Sequence, residues 1–411
     1  MFTWKNFILL FIVSISIITL VGMDNKVGLE KKCSININDE KLEELFLSII
    51  SQGTAEEVQD LLDQGLHPNN TLKVMPKFWE SVIERINHDK ENALQIIRVL
   101  LNHAMKSLTP NSLHDDSDKK VIINMDVNGT IIFGGSISGR TLEQSVISAL
   151  ADDFKDKWDN TINKPISFSE YVNLKLSGSS KDEELKKKRE QKKFAFLTFL
   201  EKENHPLKKL TYKRYKKMMK KLKLQKGTVI DSFYKLIEYL EANNIKFSII
   251  LRSFGVDTDN VMEEVNKNLE MRFFENRNDF RGILRLIDVL PAEERLAYLK
   301  QLYNFIKTTP NIGVRDDYCY WDSNKQCQRF SKPFPIDNTD SSVIQIFFDD
   351  NARLEPESSV NIIHPIDVNT GKSINANELI KRHMIVQANI VQALLDDNYF
   401  VKAIQTLLHD Q

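Results

Sequence analysis

Residues 121–133 read Val-Ile-Ile-Asn-Met-Asp-Val-Asn-Gly-Thr-Ile-Ile-Phe. An apolar run from Val121 to Met125 delivers Asp126 to its end, Asn128-Gly129 supplies a turn, and a second apolar run follows. A buried strand ending on a carboxylate, with a glycine turn just beyond, is a common way to place a reactive group at the carboxyl edge of a parallel sheet. Three more short apolar runs are read as strands. Phe247 to Leu251 ends at Arg252-Ser253-Phe254-Gly255, Val343 to Phe348 ends at Asp349-Asp350-Asn351, and Val360 to Ile363 closes at His364-Pro365. Ahead of the first of these, Val229, Ile230, Phe233, Leu236, Ile237 and Leu240 recur at helical spacing, with Thr228 and Asp231 as a capping-box start. Helix followed by short apolar strand is the rhythm of a parallel sheet. The expected fold class is α/β, a doubly wound parallel sheet.

Working outward toward the N-terminus, the 411-residue chain has room for one large or two to three ordinary domains. Its 42% hydrophobic content supports real cores, and a net charge of −1 gives no global case for a nucleic-acid binder. Three cysteines exclude a disulfide scaffold and a Cys-rich zinc module. Residues 1–23 hold an uncharged apolar run, Phe7 to Met23, behind Lys5. It reads as a signal peptide or a membrane anchor, with a buried core segment as the third reading; the first two put the bulk of the chain outside the cytoplasm. Residues 24–40 are a polar linker. Residues 41–110 are helical, with apolar pairs at Leu45-Phe46, Ile49-Ile50 and Leu61-Leu62 broken by Gly53 and closed by Gly65. This resembles one ankyrin-type repeat, and a looser second copy runs from Thr71 to Met105. Two copies fall short of the three or so neighbours a stable stack needs, so they would have to lean on the next domain. The alternative is an unrelated helical bundle with one ankyrin-like turn. The polar stretch 106–120 is the domain boundary.

Toward the C-terminus, Gly134-Gly135-Ser136 is a loop and Thr141 to Lys226 is mostly helical. From Lys186 onward this stretch is strongly basic, up to the lysines at 216, 217, 220, 221, 223 and 226. Leu207, Leu210, Tyr215, Met218 and Leu222 fall on one helical face. The basic face is either simply solvated or, over 181–226, a contact for an anionic surface or a phosphorylated substrate. Sparse aromatics leave no specific nucleic-acid signal. Asp257 to Lys307 is helical, with a helix start at Pro291-Ala292-Glu293-Glu294. Tyr318 to Phe330 reads as a hairpin around Asp322-Ser323-Asn324, across which Cys319 and Cys327 either pair or stay free. Residues 371–411 are C-terminal helices, with Ile385, Ile390, Val391, Leu394 and Leu395 on an apolar face.

In a doubly wound sheet the strand ends at Asp126, Ser253 and Asp349-Asp350 converge on one edge, with Lys332 just before the last of these strands. Carboxylates beside a hydroxyl and a cation suit phosphoryl transfer: the carboxylates hold a hard cation such as Mg²⁺, and one of them can attack phosphorus. The constellation resembles the haloacid dehalogenase-like (HAD-like) hydrolases over residues 119–370. Asp126-Val127-Asn128-Gly129-Thr130 looks like their first motif, Ser253 their second, Lys332 their third and Asp349-Asp350 their fourth. The resemblance implies a Rossmannoid core with a helical cap at 139–226, behind the N-terminal helical domain. It implies Asp126 as nucleophile and Mg²⁺ ligand. The main-chain carbonyl of Asn128 and the carboxylate of Asp349 would be further ligands, supported by Asp350. Thr130, Ser253 and Lys332 would bind phosphoryl oxygens. The departure is Asn128, where these phosphatases usually carry the aspartate that moves the leaving-group proton; an amide cannot do so. Asn128-Gly129-Thr130 also matches a glycosylation sequon, which a buried strand end argues against. The expectation is an exported Mg²⁺-dependent phosphohydrolase acting through an aspartyl-phosphate on a phosphorylated small molecule or phosphoprotein. The alternative is a weak or inactive scaffold that grips a protein partner through 41–110.

Overall fold

Strand β1 (Lys120–Asp126) has Val121, Ile122, Ile123 and Met125 each at most 2% exposed. A strand that is apolar on both faces belongs inside a sheet covered on both sides. It pairs in parallel with β4 (Lys246–Ser253) on one side and β8 (Val343–Asp349) on the other. With β5 (Arg277–Asp279), β6 (Ile312–Arg315) and β10 (Ile385–Gln387), these make a six-stranded sheet in the order β10-β8-β1-β4-β6-β5, parallel throughout. The chain leaves β1 toward β4 and later returns to its other side at β8. That reversal sits at β1, where a Rossmann-like sheet opens a crevice beyond its carboxyl edge. The computed structural model describes residues 48–49, 52–63, 75–107, 119–134, 139–178, 182–275, 277–352 and 362–409. The apolar run in 1–23, the 24–40 linker and most of the 106–120 boundary lie outside the described residues. Among the described residues, no helix is long and apolar enough to cross a membrane.

Near the N-terminus, helices α1 (Ala55–Asp63), α2 (Met75–His88) and α3 (Lys90–Ser107) occupy the region read as helical. Val58, Leu61, Leu62, Ile96, Ile97, Leu100 and Leu101 are buried. The third of these helices leans on the α/β unit through an Arg98–Glu294 ion pair at 2.8 Å and a 2.8 Å hydrogen bond from Tyr298 to Asn102. Between β1 and β4 comes a long helical segment: α4 (Leu142–Asp153), α5 (Phe168–Lys175), α6 (Glu183–Phe194), α7 (Phe196–Lys202) and α8 (Lys208–Leu224). It is not all helix, since β2 (Lys155–Asp156) and β3 (Ile166–Ser167) form a short antiparallel pair. Trp158, Phe168, Phe196 and Phe199 pack ring against ring, 4.7–6.2 Å apart, and give the segment an aromatic core of its own. Helix α9 (Asp231–Ala242) then leads into β4.

Several expectations are corrected. Tyr318 to Phe330 is not a hairpin: Asp317 caps a short helix (Tyr318–Ser323) by accepting the Tyr320 N–H at 2.9 Å, and Gln328–Phe330 is a 3₁₀ turn. Cys319 and Cys327 are free thiols. The last predicted strand lies further on, as β9 (Ile363–Asp367), outside the main sheet and paired in parallel with β7 (Lys332–Ile336). In that two-stranded sheet each strand has a free edge, which accommodates Pro333, Pro335 and Pro365. Ile385 lies on β10, not on a helix. Thr228 does not cap α9, whose N-cap is Ile230; it binds the Glu264 carboxylate instead, hydroxyl to oxygen at 2.6 Å. Leu210 is 45% exposed, and Thr211 takes the buried position on α8. Strands β2, β3, β5, β6, β7 and β10 have no counterpart among the strands read from the sequence.

Candidate functional site

Each acidic group arrives at the end of its strand. β1 ends on Asp126 and β8 on Asp349, and Asp350 follows in the turn. Because Met125 pairs with Phe348, Asp126 and Asp349 come level at the carboxyl edge. One carboxylate oxygen from each of Asp126, Asp349 and Asp350 lies within 4.8 Å of the others. Asp126 is 7% exposed and Asp349 is fully buried, while Asp350 is partly open. Burial pushes the Asp126 carboxyl up, to about 7, against the pull of Lys332, and Asp349 adds to the rise. Asp350 is likewise held well above the ordinary carboxylate range by burial and by its two acidic neighbours.

The cation comes from β7. The Lys332 ammonium donates to Asp349 at 2.8 Å and also to Asp126. It is 1% exposed. Burial works against its charge, but Asp126, Asp349 and, behind them, Asp316 hold it above its usual value. Its roof is Phe254, whose ring centre is 5.2 Å from the ammonium and stacks on Trp321 at 5.4 Å. The segment misread as a hairpin therefore delivers Trp321 to this roof. Three carboxylates against one ammonium leave the cluster short of positive charge. An all-oxygen donor set of this kind fits a hard divalent cation.

The turn after β1 is tied in the same way. Gly129 has φ +78°, and a Cβ added there would sit 2.5 Å from an Asp350 oxygen. Gly129→Ala is expected to cost at least about 1–2 kcal/mol through the left-handed backbone alone, and to push the Asp350 carboxylate off the cluster. A lower thermal midpoint would be the readout. Thr130 is fully buried, and its hydroxyl has no hydrogen-bond partner among the described residues. Ser253, one residue beyond the register partner of Asp126, is 2% exposed, and its hydroxyl accepts from the Gly255 N–H at 3.0 Å.

The Asn128 side-chain amide donates to Asp257 at 2.8 Å. Asp257 is the first residue of α10 (Asp257–Asn268) and is 4% exposed. Sequence reading missed it. Its one signal was position, four residues past the Ser253 strand end in a glycine-containing loop. Asn128, Gly129, Asp257 and Asp350 also help to line a cavity of about 950 Å³. Arg140, Ser145, Ser148 and Lys193 of the helical segment line it too, so the walls are mainly polar.

Behind Lys332 lies His364, paired with Pro333 in the small sheet. Its Nε2 is 2.8 Å from the Ser373 hydroxyl, and Nδ1 has no hydrogen-bond partner among the described residues. Burial, helped by Arg329, pushes its pKa down from 6.5 to about 4. Between those values the unfolded chain binds a proton that the folded one refuses, so stability falls as pH drops from about 6.5 to about 4, by up to roughly 3 kcal/mol from this group. The raised carboxyls of Asp126 and Asp350 act in the opposite sense over the same range, so the loss is read as a difference: the denaturant midpoint of the parent relative to His364→Gln should fall between pH 7 and pH 5.

No protein-family model, no curated protein and no solved structure matches the chain.

Proposed function

We propose that the chain is a Mg²⁺-dependent phosphohydrolase of the HAD-like type, with Asp126 as its nucleophile. The observation that carries the reading is the meeting of Asp126, Asp349 and Asp350 at one point, with the Lys332 ammonium bridging two of them. Asp126, Asp349, Asp350 and the Asn128 main-chain carbonyl would hold Mg²⁺, which offsets charge on the transferring phosphoryl group. An Asp126 oxygen attacks phosphorus, the bond to the leaving oxygen breaks, and an aspartyl-phosphate forms. Water then attacks that phosphorus, releasing phosphate and restoring the carboxylate. Lys332, Ser253 and Thr130 bind phosphoryl oxygens.

Asn128 cannot move the proton, and Asp257 takes the part. Its carboxylate is hydrogen-bonded to the Asn128 amide and lines the cavity. It gives a proton to the leaving oxygen and takes one from the attacking water. The helical segment 139–226 acts as the cap and forms much of the cavity wall. Serines and cations on that wall favour a polar phosphomonoester over an apolar one. The ankyrin-like helices of 41–110 are kept for a protein partner, and the apolar run in 1–23 takes the chain out of the cytoplasm or tethers it to a membrane.

The test is hydrolysis of an aryl phosphate by the full chain. Turnover should require Mg²⁺ and stop with a chelator, and borohydride should trap the acyl-phosphate at residue 126. Turnover indifferent to the chelator would overturn the Mg²⁺-dependent mechanism, and no turnover together with no trapped residue would leave the inactive-scaffold reading in its place.

A further inference from the structure

Helix α8 reads KKLTYKRYKKMMKKLKL, a run without an acidic residue. The basic residues facing the rest of the molecule are matched. Lys208 pairs with Glu201 at 3.3 Å and Arg214 with Asp153 at 2.6 Å, while Lys221 lies 4.0 Å from Asp231 and also pairs with Asp397. Lys209, Lys213, Lys216, Lys217, Lys220 and Lys223 are different: all are exposed, and their side chains have no hydrogen bond or ion pair among the described residues. At 100° per residue these six fall within a sector of about 120°, along about 21 Å of helix. Leu224, 74% exposed, lies in the same sector, and Leu210, 45% exposed, lies at its edge. The helix is thus neutralised where it packs and left charged where it faces out, with two leucines beside the charge.

We propose that this outer face of α8 docks on an anionic lipid bilayer. A straight row of lysines meets a flat negative surface along its whole length, and flanking leucines reach the headgroup boundary, the pattern of an interfacial helix. A nucleic acid fits less well. Tyr212 and Tyr215 are half-buried, and the Tyr215 hydroxyl is committed to Glu143 at 2.7 Å, so no aromatic platform is offered for bases. The inference is independent of the phosphohydrolase reading.

The test is sedimentation of the full chain with vesicles of phosphatidylcholine alone, or with one-third phosphatidylserine. The readout is the extra binding that phosphatidylserine brings, which subtracts any insertion of the N-terminal apolar run. Replacing Lys213, Lys216, Lys217 and Lys220 together by Gln should weaken that increment by about 100-fold or more, since each lysine near an anionic surface strengthens adsorption roughly fivefold. Leu224→Ser should weaken it several-fold, and 0.5 M salt should abolish it in the unaltered chain. Matching circular dichroism of the variants would show that the helices persist. No increment with phosphatidylserine, an increment that survives the four substitutions, or capture of single-stranded RNA through the same lysines while vesicles are ignored would each overturn the proposal.

Discussion

Asp257→Asn is expected to slow formation of the aspartyl-phosphate from an alkyl phosphate by about 10²–10⁴, the usual worth of general acid–base help, and to leave its formation from an aryl phosphate, read as the burst of released phenolate, within about threefold. The difference lies in the leaving group. An alkoxide must be protonated as the bond to phosphorus breaks, whereas a nitrophenolate departs without a proton. Asp257 is the carboxylate hydrogen-bonded to Asn128, in the wall of the cavity that Asp350 also lines. A role confined to holding the Asn128 amide would lower both rates alike, so equal losses on the two substrates would sink the assignment. Asn128→Asp in the Asp257→Asn background should recover much of the alkyl rate, because it restores one carboxylate at a neighbouring position. In the unaltered background, Asn128→Asp would bring two carboxylates together where an amide now donates at 2.8 Å. Like charges that close favour retention of a proton by one of them.

Asp316→Ala is expected to destabilise the fold by about 3–5 kcal/mol, the cost of stranding a buried charge. Arg252 and Asp316 are both fully buried and form a two-pronged pair at 2.5 and 3.0 Å. The guanidinium also donates to Asn124 on β1 and to the Pro333 carbonyl on β7, at 3.1 and 3.0 Å, and lies between the rings of Phe280 and Phe347. One side chain thus ties β1, β4 and the end of β6 to β7, whose first residue is Lys332. Exchanging the pair for apolar residues, Arg252→Met with Asp316→Leu, should cost far less, since breaking a buried pair is worse than replacing both partners. Thermal or urea midpoints of the single and double variants decide this. A single variant as stable as the parent would show that water or another group reaches the remaining charge.

By itself the sequence determined the strands whose burial is written along their length. β1, β4 and β8 each carry at least four apolar residues and a single polar one among them, Asn124, Ser248 or Gln345, and a strand buried on both faces is legible without knowing what buries it. The residues that end those strands, Asp126, Ser253 and Asp349, followed from the same runs. The short and the proline-bearing strands were not legible. β6 is Ile-Gly-Val-Arg, and β7 carries two prolines that only a free edge admits. The hairpin expected at Tyr318–Phe330 failed because Asp317 captures a backbone N–H and starts a helix, a local choice that apolar spacing does not record. Tertiary structure alone decided which distant groups meet. The order β8-β1-β4 sets Asp349 beside Asp126, and a separate two-stranded sheet swings Lys332 between them. The loop after β4 places Asp257 against Asn128. Periodicity reports how much of a residue is buried, whereas a site depends on what it is buried against, and that is fixed by strand order and crossovers.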